Sequence, residues 1–136
     1  MPMKYHHLSG FLCFVVAGVT LSTILNYKAL GAETVVQRGQ KLFKKCVHCH
    51  TYSQHQGHRI GPNLYGMFGR KAGAIANYDY SEAWKTANFI WTIKTLDTYL
   101  KAPHKMIPNN RMPFNGLSKA EDRRALITYM KTIVVP

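Results

Sequence analysis

Five consecutive residues, Cys46-Val47-His48-Cys49-His50, carry the most recognisable chemistry in this sequence. They contain the pattern C-x-x-C-H, which is typical of covalent attachment of a c-type haem. Two thiols three residues apart on a helical turn can add to the two vinyl groups along one edge of a porphyrin. The next residue, His50, then lies under the iron and offers an imidazole nitrogen. The pattern therefore predicts one haem c, bound through Cys46 and Cys49, with His50 as a ligand of its iron.

Two other kinds of site use similar residues. A structural zinc site needs four ligands, and His55 and His58 could join the two cysteines on paper. Only five residues separate Cys49 from His55, far fewer than the loop of a zinc finger. A thioredoxin-like redox pair needs a βαβ setting, which the sequence lacks. Haem attachment is therefore the favoured interpretation.

The second iron ligand decides what the haem does, because electron carriers fill this position and ligand-binding or catalytic haem proteins leave it open. Met112 lies in a segment, Pro108–Phe114, whose two prolines and two asparagines disfavour a helix and leave the thioether on a loop. Met106 is a close competitor, and local chemistry favours Met112 only modestly. Met67 and Met130 are most simply packed hydrophobic residues. A haem with an open position, as in a peroxidase or a gas sensor, is the alternative class.

Length and charge exclude several other classes of protein. The chain has 136 residues, enough for one ordinary domain but not for an enzyme with separate cofactor and substrate domains. Its 18 basic and 6 acidic residues give a net charge of +12, and three cysteines cannot form a disulfide framework. No pattern of aromatic and basic residues suggests a nucleic-acid groove, so we expect no nucleic acid as a partner.

The N-terminal segment is apolar. No charged residue lies between Lys4 and Lys28, and an 18-residue apolar stretch precedes Ala29-Leu30-Gly31. A secretory signal peptide has this form, although 18 residues is also close to the minimum for a membrane-spanning helix. We predict a signal peptide or an N-terminal membrane anchor in residues 1–31, and a folded domain in residues 32–136 that is carried across a membrane.

The folded domain reads as a few helices joined by long loops. Residues 34–46 suit a first helix, and Gly39 on it would let the last helix cross closely. A shorter helix is predicted over Thr95–Lys101, which ends before Pro103. Ser118-Lys119-Ala120-Glu121 has the form of a capping box that opens a last helix through about Lys131. The fold class is therefore all-α, with the loops wrapped around the haem.

Several ordered blocks in residues 35–133 resemble the class I cytochromes c, of the mitochondrial type and the bacterial cytochrome c2 type, some of them membrane-anchored. Beyond the haem motif, the blocks are Gly39-x-x-x-Phe43, Gly61-Pro62-Asn63-Leu64-Tyr65-Gly66-Met67-Phe68-Gly69-Arg70, Tyr78-Asp79-Tyr80-Ser81-Glu82-Ala83, Trp91, Thr95-Leu96-x-x-Tyr99-Leu100-x-x-Pro103, Ile107-Pro108-x-x-Arg111-Met112-Pro113-Phe114-x-Gly116-Leu117 and Leu126-x-x-Tyr129.

The resemblance implies roles for the matching residues. Cys46 and Cys49 would form the thioethers, and His50 and Met112 would be the two iron ligands. The carbonyl of Pro62 would orient the imidazole. The remaining cofactor-binding residues lie around the propionates or the sulfur: Arg70, Tyr80, Trp91 and Tyr99. Two positions depart from the family pattern, Asn110 near the ligand methionine and Trp84 at a commonly polar position.

The resemblance also implies a function. The chain would be a one-electron carrier and not an enzyme, in a respiratory or photosynthetic chain, between a bc1-type quinol–cytochrome c reductase and a terminal cytochrome c oxidase. It would act as a monomer on the periplasmic side of a bacterial inner membrane, soluble or anchored. Basic residues near the haem edge would meet acidic faces of these partners. They are Lys41, Lys44, Lys45, Lys101, Lys105 and Arg111.

Overall fold

A computed structural model describes residue 1 and residues 33–136. Its contacts separate a first unit, Met1–Ala32, from a second unit, Glu33–Pro136. The account below concerns the second unit. Apart from residue 1, the predicted signal peptide or anchor in residues 1–31 lies outside the described residues.

The second unit is built from five helices. They are α1 (Val35–Phe43), α2 (Glu82–Lys85), α3 (Ile93–Lys101), α4 (Pro103–Met106) and α5 (Ala120–Ile133). Residues 33–136 contain no strand, and their β structure is one isolated bridge between Lys71 and Ile90. The all-α fold class predicted from the sequence is confirmed.

Helices α1 and α3 each begin with a capping box that the sequence analysis missed. The Thr34 hydroxyl accepts from the Gln37 N–H, and the Gln37 side chain accepts from the Thr34 N–H. Thr92 and Thr95 form the same reciprocal pair of hydrogen bonds at the start of α3. This helix begins at Ile93, two residues before the predicted start at Thr95. Each pair satisfies two of the N–H groups that a helix end leaves free.

The capping box predicted at Ser118 is wrong. Helix α5 begins at Ala120 with Lys119 as its N-cap, and no side chain caps it. The carbonyl oxygens of Leu117 and Ser118 instead accept hydrogen bonds from Nη1 of Arg123, at 2.9 and 2.8 Å. The buried guanidinium thus fixes the chain before the helix, but it does not replace the predicted cap, because it donates to carbonyls and cannot accept from the N–H groups of the helix start.

Helices α1 and α5 pack against each other. This confirms the close crossing that we predicted from the glycine at position 39. A Cβ built on Gly39 would collide with the carbonyl oxygen of Ala125 and stand 2.6 Å from the Cβ of Tyr129. Arg38 Nε donates to Asp122 Oδ1 at 2.6 Å beside this crossing. The core behind it consists of Phe43, Met67, Leu96, Leu100, Leu126, Ile127, Met130 and Val134.

The loop between the haem motif and α2 is held by side chains that bond to its own backbone. Asn63 Nδ2 donates to the carbonyls of Ser53 and Gln56, at 2.8 and 2.6 Å. His58 Nε2 donates to the carbonyl of Ala76 at 2.8 Å, and its Nδ1 accepts from the Asn63 N–H. A long loop without helices therefore keeps a defined path, and it forms one wall of the cavity described next.

Candidate functional site

A cavity of about 690 Å³ opens between the haem motif, the long loop and the segment around Met112. Helices α3 and α5 supply its floor, with Leu96, Leu100 and Met130. Most of the lining is apolar. Lining residues that bear on function are Cys46, Cys49, His50, Pro62, Arg70, Tyr80, Ser81, Trp84, Trp91, Tyr99, Arg111 and Met112. The structure thus brings together at one cavity every site residue predicted from the sequence.

The two cysteines lie on the turn that follows α1. The N–H groups of Cys49 and His50 both donate to the carbonyl of Cys46, at 3.0 and 2.9 Å, which holds the motif in one tight turn. Both thiols are partly buried and free of disulfides. Burial, with a smaller contribution from the neighbouring Cys49, raises the pKa of Cys46 to about 11. This thiol is therefore protonated at neutral pH.

His50 is oriented by its outer ring nitrogen. Nδ1 lies 2.7 Å from the carbonyl oxygen of Pro62, and because a carbonyl can only accept, Nδ1 carries the proton. Burial lowers the pKa of His50, although the hydrogen bond to Pro62 opposes this effect. The imidazole is therefore neutral, with the lone pair of Nε2 available to a metal ion. Ligating histidines are typically fixed by such an outer acceptor.

Met112 lies on the loop after α4, which a side chain holds in place. Asn110 is buried, and its Oδ1 accepts from the Met112 N–H at 3.0 Å. Its Nδ2 donates to the Ile107 carbonyl at 2.7 Å. The Tyr99 hydroxyl donates to the Met112 sulfur at 3.3 Å. The departure from the family pattern at Asn110 thus still supplies a hydrogen bond to the methionine loop.

The other three methionines that follow the haem motif in the sequence are placed differently. Met67 and Met130 line the cavity but are 3% and 4% exposed and belong to the main core. Met106 packs against a second core cluster, around Tyr99 and Ile107, and is not among the residues that line the cavity. Geometry therefore favours Met112 over its close competitor as a donor to a metal in this cavity.

Arg70 and Tyr80 form a polar part of the cavity wall. Arg70 donates to the carbonyls of Tyr65 and Asn63, at 2.9 and 3.3 Å, and burial lowers its pKa. Burial raises the pKa of Tyr80, and the charge of Arg70 acts in the opposite direction. This side of the cavity therefore combines a guanidinium held by two hydrogen bonds with a neutral phenol. Such a pair suits an anionic group of a ligand.

Ser81 is a site residue that the sequence analysis did not single out. Its Oγ is buried and has no hydrogen-bond partner in the described part of the chain. It is the N-cap of α2, yet its side chain makes no capping bond. A serine at a helix start is expected to cap, so its position in the sequence carries no signal for a ligand site. An unpartnered buried hydroxyl on a cavity wall instead fits a ligand that carries hydrogen-bond acceptors.

Comparison with known proteins agrees with this site. The cytochrome c family model matches residues 36–133. The chain belongs to the cytochrome c family. It is 48% identical over 94 residues to cytochrome c of Nigella damascena, which covers 68% of this chain and 85% of the relative. It is 49% identical over 94 residues to that of Cannabis sativa, with the same coverage. The identity to cytochrome c of the fungus Cochliobolus lunatus is 45% over 96 residues, 70% of this chain and 89% of the relative.

Family membership establishes the cofactor and the general function. The chain binds one covalently attached haem c with its iron, and it is an electron carrier. The residues of the cavity fit this group: two thiols on one turn, a neutral imidazole, a thioether, and a buried hydroxyl that has no hydrogen-bond partner among residues 33–136.

The predicted location on the periplasmic side of a bacterial inner membrane is wrong. The relatives that this cytochrome c matches come from plants and fungi. Among the described helices, none is long and apolar enough to cross a membrane.

Proposed function

We propose that this cytochrome c carries single electrons in a respiratory chain, from a bc1-type quinol–cytochrome c reductase to a terminal cytochrome c oxidase, and that it acts as a monomer. The haem supplies one-electron chemistry, with its iron alternating between the ferrous and ferric states. The observation that carries the proposal is the meeting of His50 and Met112 at one cavity, each held by a hydrogen bond from a separate segment.

In this proposal, His50 and Met112 are the two iron ligands. His50 offers Nε2, because Nδ1 is engaged by Pro62. Met112 offers a soft thioether, which favours the electron-rich ferrous state and raises the reduction potential. With both positions taken by side chains, no small molecule can bind to the metal without displacing one of them. This distinguishes a carrier from a peroxidase or a gas-binding protein.

Cys46 and Cys49 form the covalent links of the proposed site. Each thiol would add across one vinyl group, so that a carbon–sulfur bond forms and the thiol hydrogen goes to the other vinyl carbon. The turn that holds both residues fixes the spacing of the two links. Because His50 is part of the same turn, attachment also places the imidazole.

The carboxylate side chains of the haem belong, in this proposal, to the polar wall. Arg70 and Tyr80 provide a cation and a hydroxyl there, and Ser81 adds the hydroxyl that has no partner in the described part of the chain. Trp91 lines the cavity too and offers an indole N–H, which can only donate. These groups stabilise negative charge, whereas the floor of the cavity is apolar.

Basic residues beside the cavity support docking to acidic faces of both partners. All six predicted residues are exposed, but they are not equivalent. Lys41 pairs with Glu33 at 2.8 Å, and Arg111 contacts Asp79 at 3.5 Å. Lys45 lines the cavity and has no ion pair among residues 33–136. Arg59, which the sequence analysis did not name, is also exposed and lines the cavity. We therefore propose Lys45 and Arg59 as the strongest contributors to docking.

Two substitutions test whether Met112 is the second iron ligand. We expect Met112→Ala to abolish the far-red charge-transfer band of thioether-ligated ferric haem, and to allow rapid binding of carbon monoxide to the ferrous form. Met106→Ala should leave both properties unchanged. Loss of the band in Met106→Ala alone would make the assignment wrong. Rapid binding of carbon monoxide by the unsubstituted protein would instead favour an open iron.

The covalent links are tested by extraction in acidic organic solvent. The pigment should stay with the unsubstituted chain and should be released from the double variant Cys46→Ala/Cys49→Ala. Release from the unsubstituted chain would contradict the proposed attachment.

The docking surface is tested by charge reversal. We expect Lys45→Glu to slow the bimolecular oxidation of the ferrous protein by cytochrome c oxidase at low salt, and the defect to shrink as salt screens the charges. Lys119→Glu, at an exposed N-cap away from the cavity lining, is the matched control. Equal rates for the two variants at low salt would argue against this docking face.

A further inference from the structure

The Tyr99–Met112 contact is enclosed by two tryptophans. The ring centroids of Trp84 and Tyr99 lie 5.3 Å apart, those of Trp91 and Tyr99 5.4 Å, and those of the two tryptophans 5.8 Å. The three rings therefore form a closed triangle. Tyr99 is 5% exposed, and all three rings line the cavity. Edge-to-face contacts of this kind are attractive and directional.

Trp84 is held in this triangle from several sides. Phe89 and Tyr80 lie against it, with ring centroids 6.4 and 6.3 Å from its own. The backbone of Gly73 passes so close that a Cβ there would collide with the Trp84 carbonyl oxygen and stand 3.0 Å from the carbonyl carbon. Two further aromatic rings therefore flank the indole and Gly73 packs on the Trp84 backbone, although Trp84 lies on α2, a helix of only four residues.

The chemistry of the indole matters for the phenol beside it. The Tyr99 hydroxyl makes one hydrogen bond within the described part of the chain, to the Met112 sulfur at 3.3 Å. A thioether is a weak acceptor, so water or an amide oxygen would compete for the same proton. Indole has a donor and no acceptor. A tryptophan next to Tyr99 therefore offers the hydroxyl no rival acceptor, whereas an amide side chain in its place would offer one.

We propose that Trp84 is a positioning residue, which preserves the hydrogen bond from the Tyr99 hydroxyl to the Met112 sulfur. Its ring lies against the phenol, offers no hydrogen-bond acceptor and keeps water away from the hydroxyl. This inference rests on the proposed function, in which that sulfur is an iron ligand. A hydrogen bond to the sulfur withdraws electron density from it, and exclusion of water disfavours the more highly charged ferric state. Hydrogen bonds to ligand atoms and solvent access both tune reduction potentials. Trp84 therefore raises the potential through Tyr99.

The test combines two substitutions at Trp84 with one at Tyr99, all in the haem-loaded full chain. Trp84→Asn introduces an acceptor and lowers the midpoint potential, whereas Trp84→Phe keeps an apolar ring and leaves the potential near its original value. In a Tyr99→Phe background, which lacks the hydroxyl, Trp84→Asn has a smaller effect. Three outcomes would overturn the proposal. The first is that Trp84→Phe lowers the midpoint potential as much as Trp84→Asn does, and the second is that Trp84→Asn lowers it equally with and without the Tyr99 hydroxyl. The third is that Trp84→Asn leaves the midpoint potential unchanged. Should the Asn variant not fold, Trp84→Gln introduces the same amide for the same comparison.

Imidazole binding to the ferric protein gives a second readout, because added imidazole must displace the sulfur. The association constant should rise roughly two- to twelvefold in Trp84→Asn, the change that corresponds to about 0.5–1.5 kcal/mol for one aromatic contact. Trp84→Phe should bind imidazole as the original chain does, and an equal rise in both variants contradicts the proposal. Failure of the Met112 assignment is recognised separately, because the charge-transfer band would then survive in Met112→Ala.

Discussion

The backbone of Gly61 lies against the imidazole of His50. A Cβ built on Gly61 would stand 2.7 Å from Nδ1 and 2.8 Å from Nε2 of His50, closer than real Cβ atoms approach their neighbours. The adjacent residue, Pro62, accepts the hydrogen bond of the same ring. One dipeptide therefore sets both the position and the orientation of the proposed iron ligand.

Gly61→Ala should consequently damage the site and the fold together. We expect a loss of about 1–3 kcal/mol in the free energy of unfolding, typical of a side chain forced into a filled space, measured by denaturant titration of the haem-loaded protein. The control is Gly57→Ala, because a Cβ at Gly57 meets nothing within 4 Å. Its effect should stay within about 0.5 kcal/mol. Equal stability of the two variants would show that the ring can move aside without cost.

Gly39→Ala tests the crossing of α1 and α5. Alanine is the better helix former by roughly 0.5–1 kcal/mol, so propensity alone predicts a more stable protein. The new methyl group would collide with the Ala125 carbonyl, which is backbone and cannot rotate away. We expect the collision to outweigh the propensity gain and the variant to unfold at lower urea concentration. Gln40→Ala, at an exposed position on the same helix, should be close to neutral.

Contiguous signals in the sequence predicted the haem attachment well. The cofactor depends on residues that are neighbours in the chain, so the spacing of Cys46, Cys49 and His50 indicated the chemistry before any fold was known. Gly39 likewise predicted a close helix crossing, because a missing side chain in a helix has few other uses. Both inferences rely on residues that lie close together in the chain, within one helix or one turn.

Features that depend on loop closure could not be predicted in the same way. The unpartnered hydroxyl of Ser81 becomes apparent only when its loop is folded against the cavity. Ser118 failed as a cap because the helix begins at Ala120 with Lys119 as its N-cap, so that Ser118 lies one residue before the capping position. Local chemistry alone barely separated Met112 from Met106. Both side chains pack against the second core cluster, and they differ in that Met112 lines the cavity whereas Met106 does not. The wrong location has another origin, since an apolar leader-like segment predicts export but does not identify the membrane.

Arg123 provides a stability prediction. Its side chain is 8% exposed, and Nε donates to Asp97 Oδ1 at 2.8 Å while Nη1 donates to two carbonyls. Arg123→Met would leave both carbonyls and the Asp97 carboxylate, which is 41% exposed, without this donor, so we expect a loss of about 1–3 kcal/mol in unfolding free energy. Lys85→Met breaks an exposed pair with Glu82, which solvent screens, and should destabilise the protein much less. Similar losses in both variants would refute the distinction between the two pairs.

Tyr80 gives the protein a specific sensitivity to alkaline pH. Burial raises the pKa of its hydroxyl above the ordinary value of 10.0, despite the opposing charge of Arg70. Because the folded pKa exceeds the unfolded one, the stabilisation is fully present below pH 10 and is lost as pH rises from there through the folded pKa. The slope cannot exceed about 1.4 kcal/mol per pH unit for one proton. We expect the unfolding free energy to fall more steeply above this pH in the original chain than in Tyr80→Phe, when both are titrated with urea at several alkaline pH values. Lysines that ionise in the same range are common to both proteins and cancel in the comparison, so parallel curves would mean that the Tyr80 hydroxyl titrates as it does in the unfolded chain.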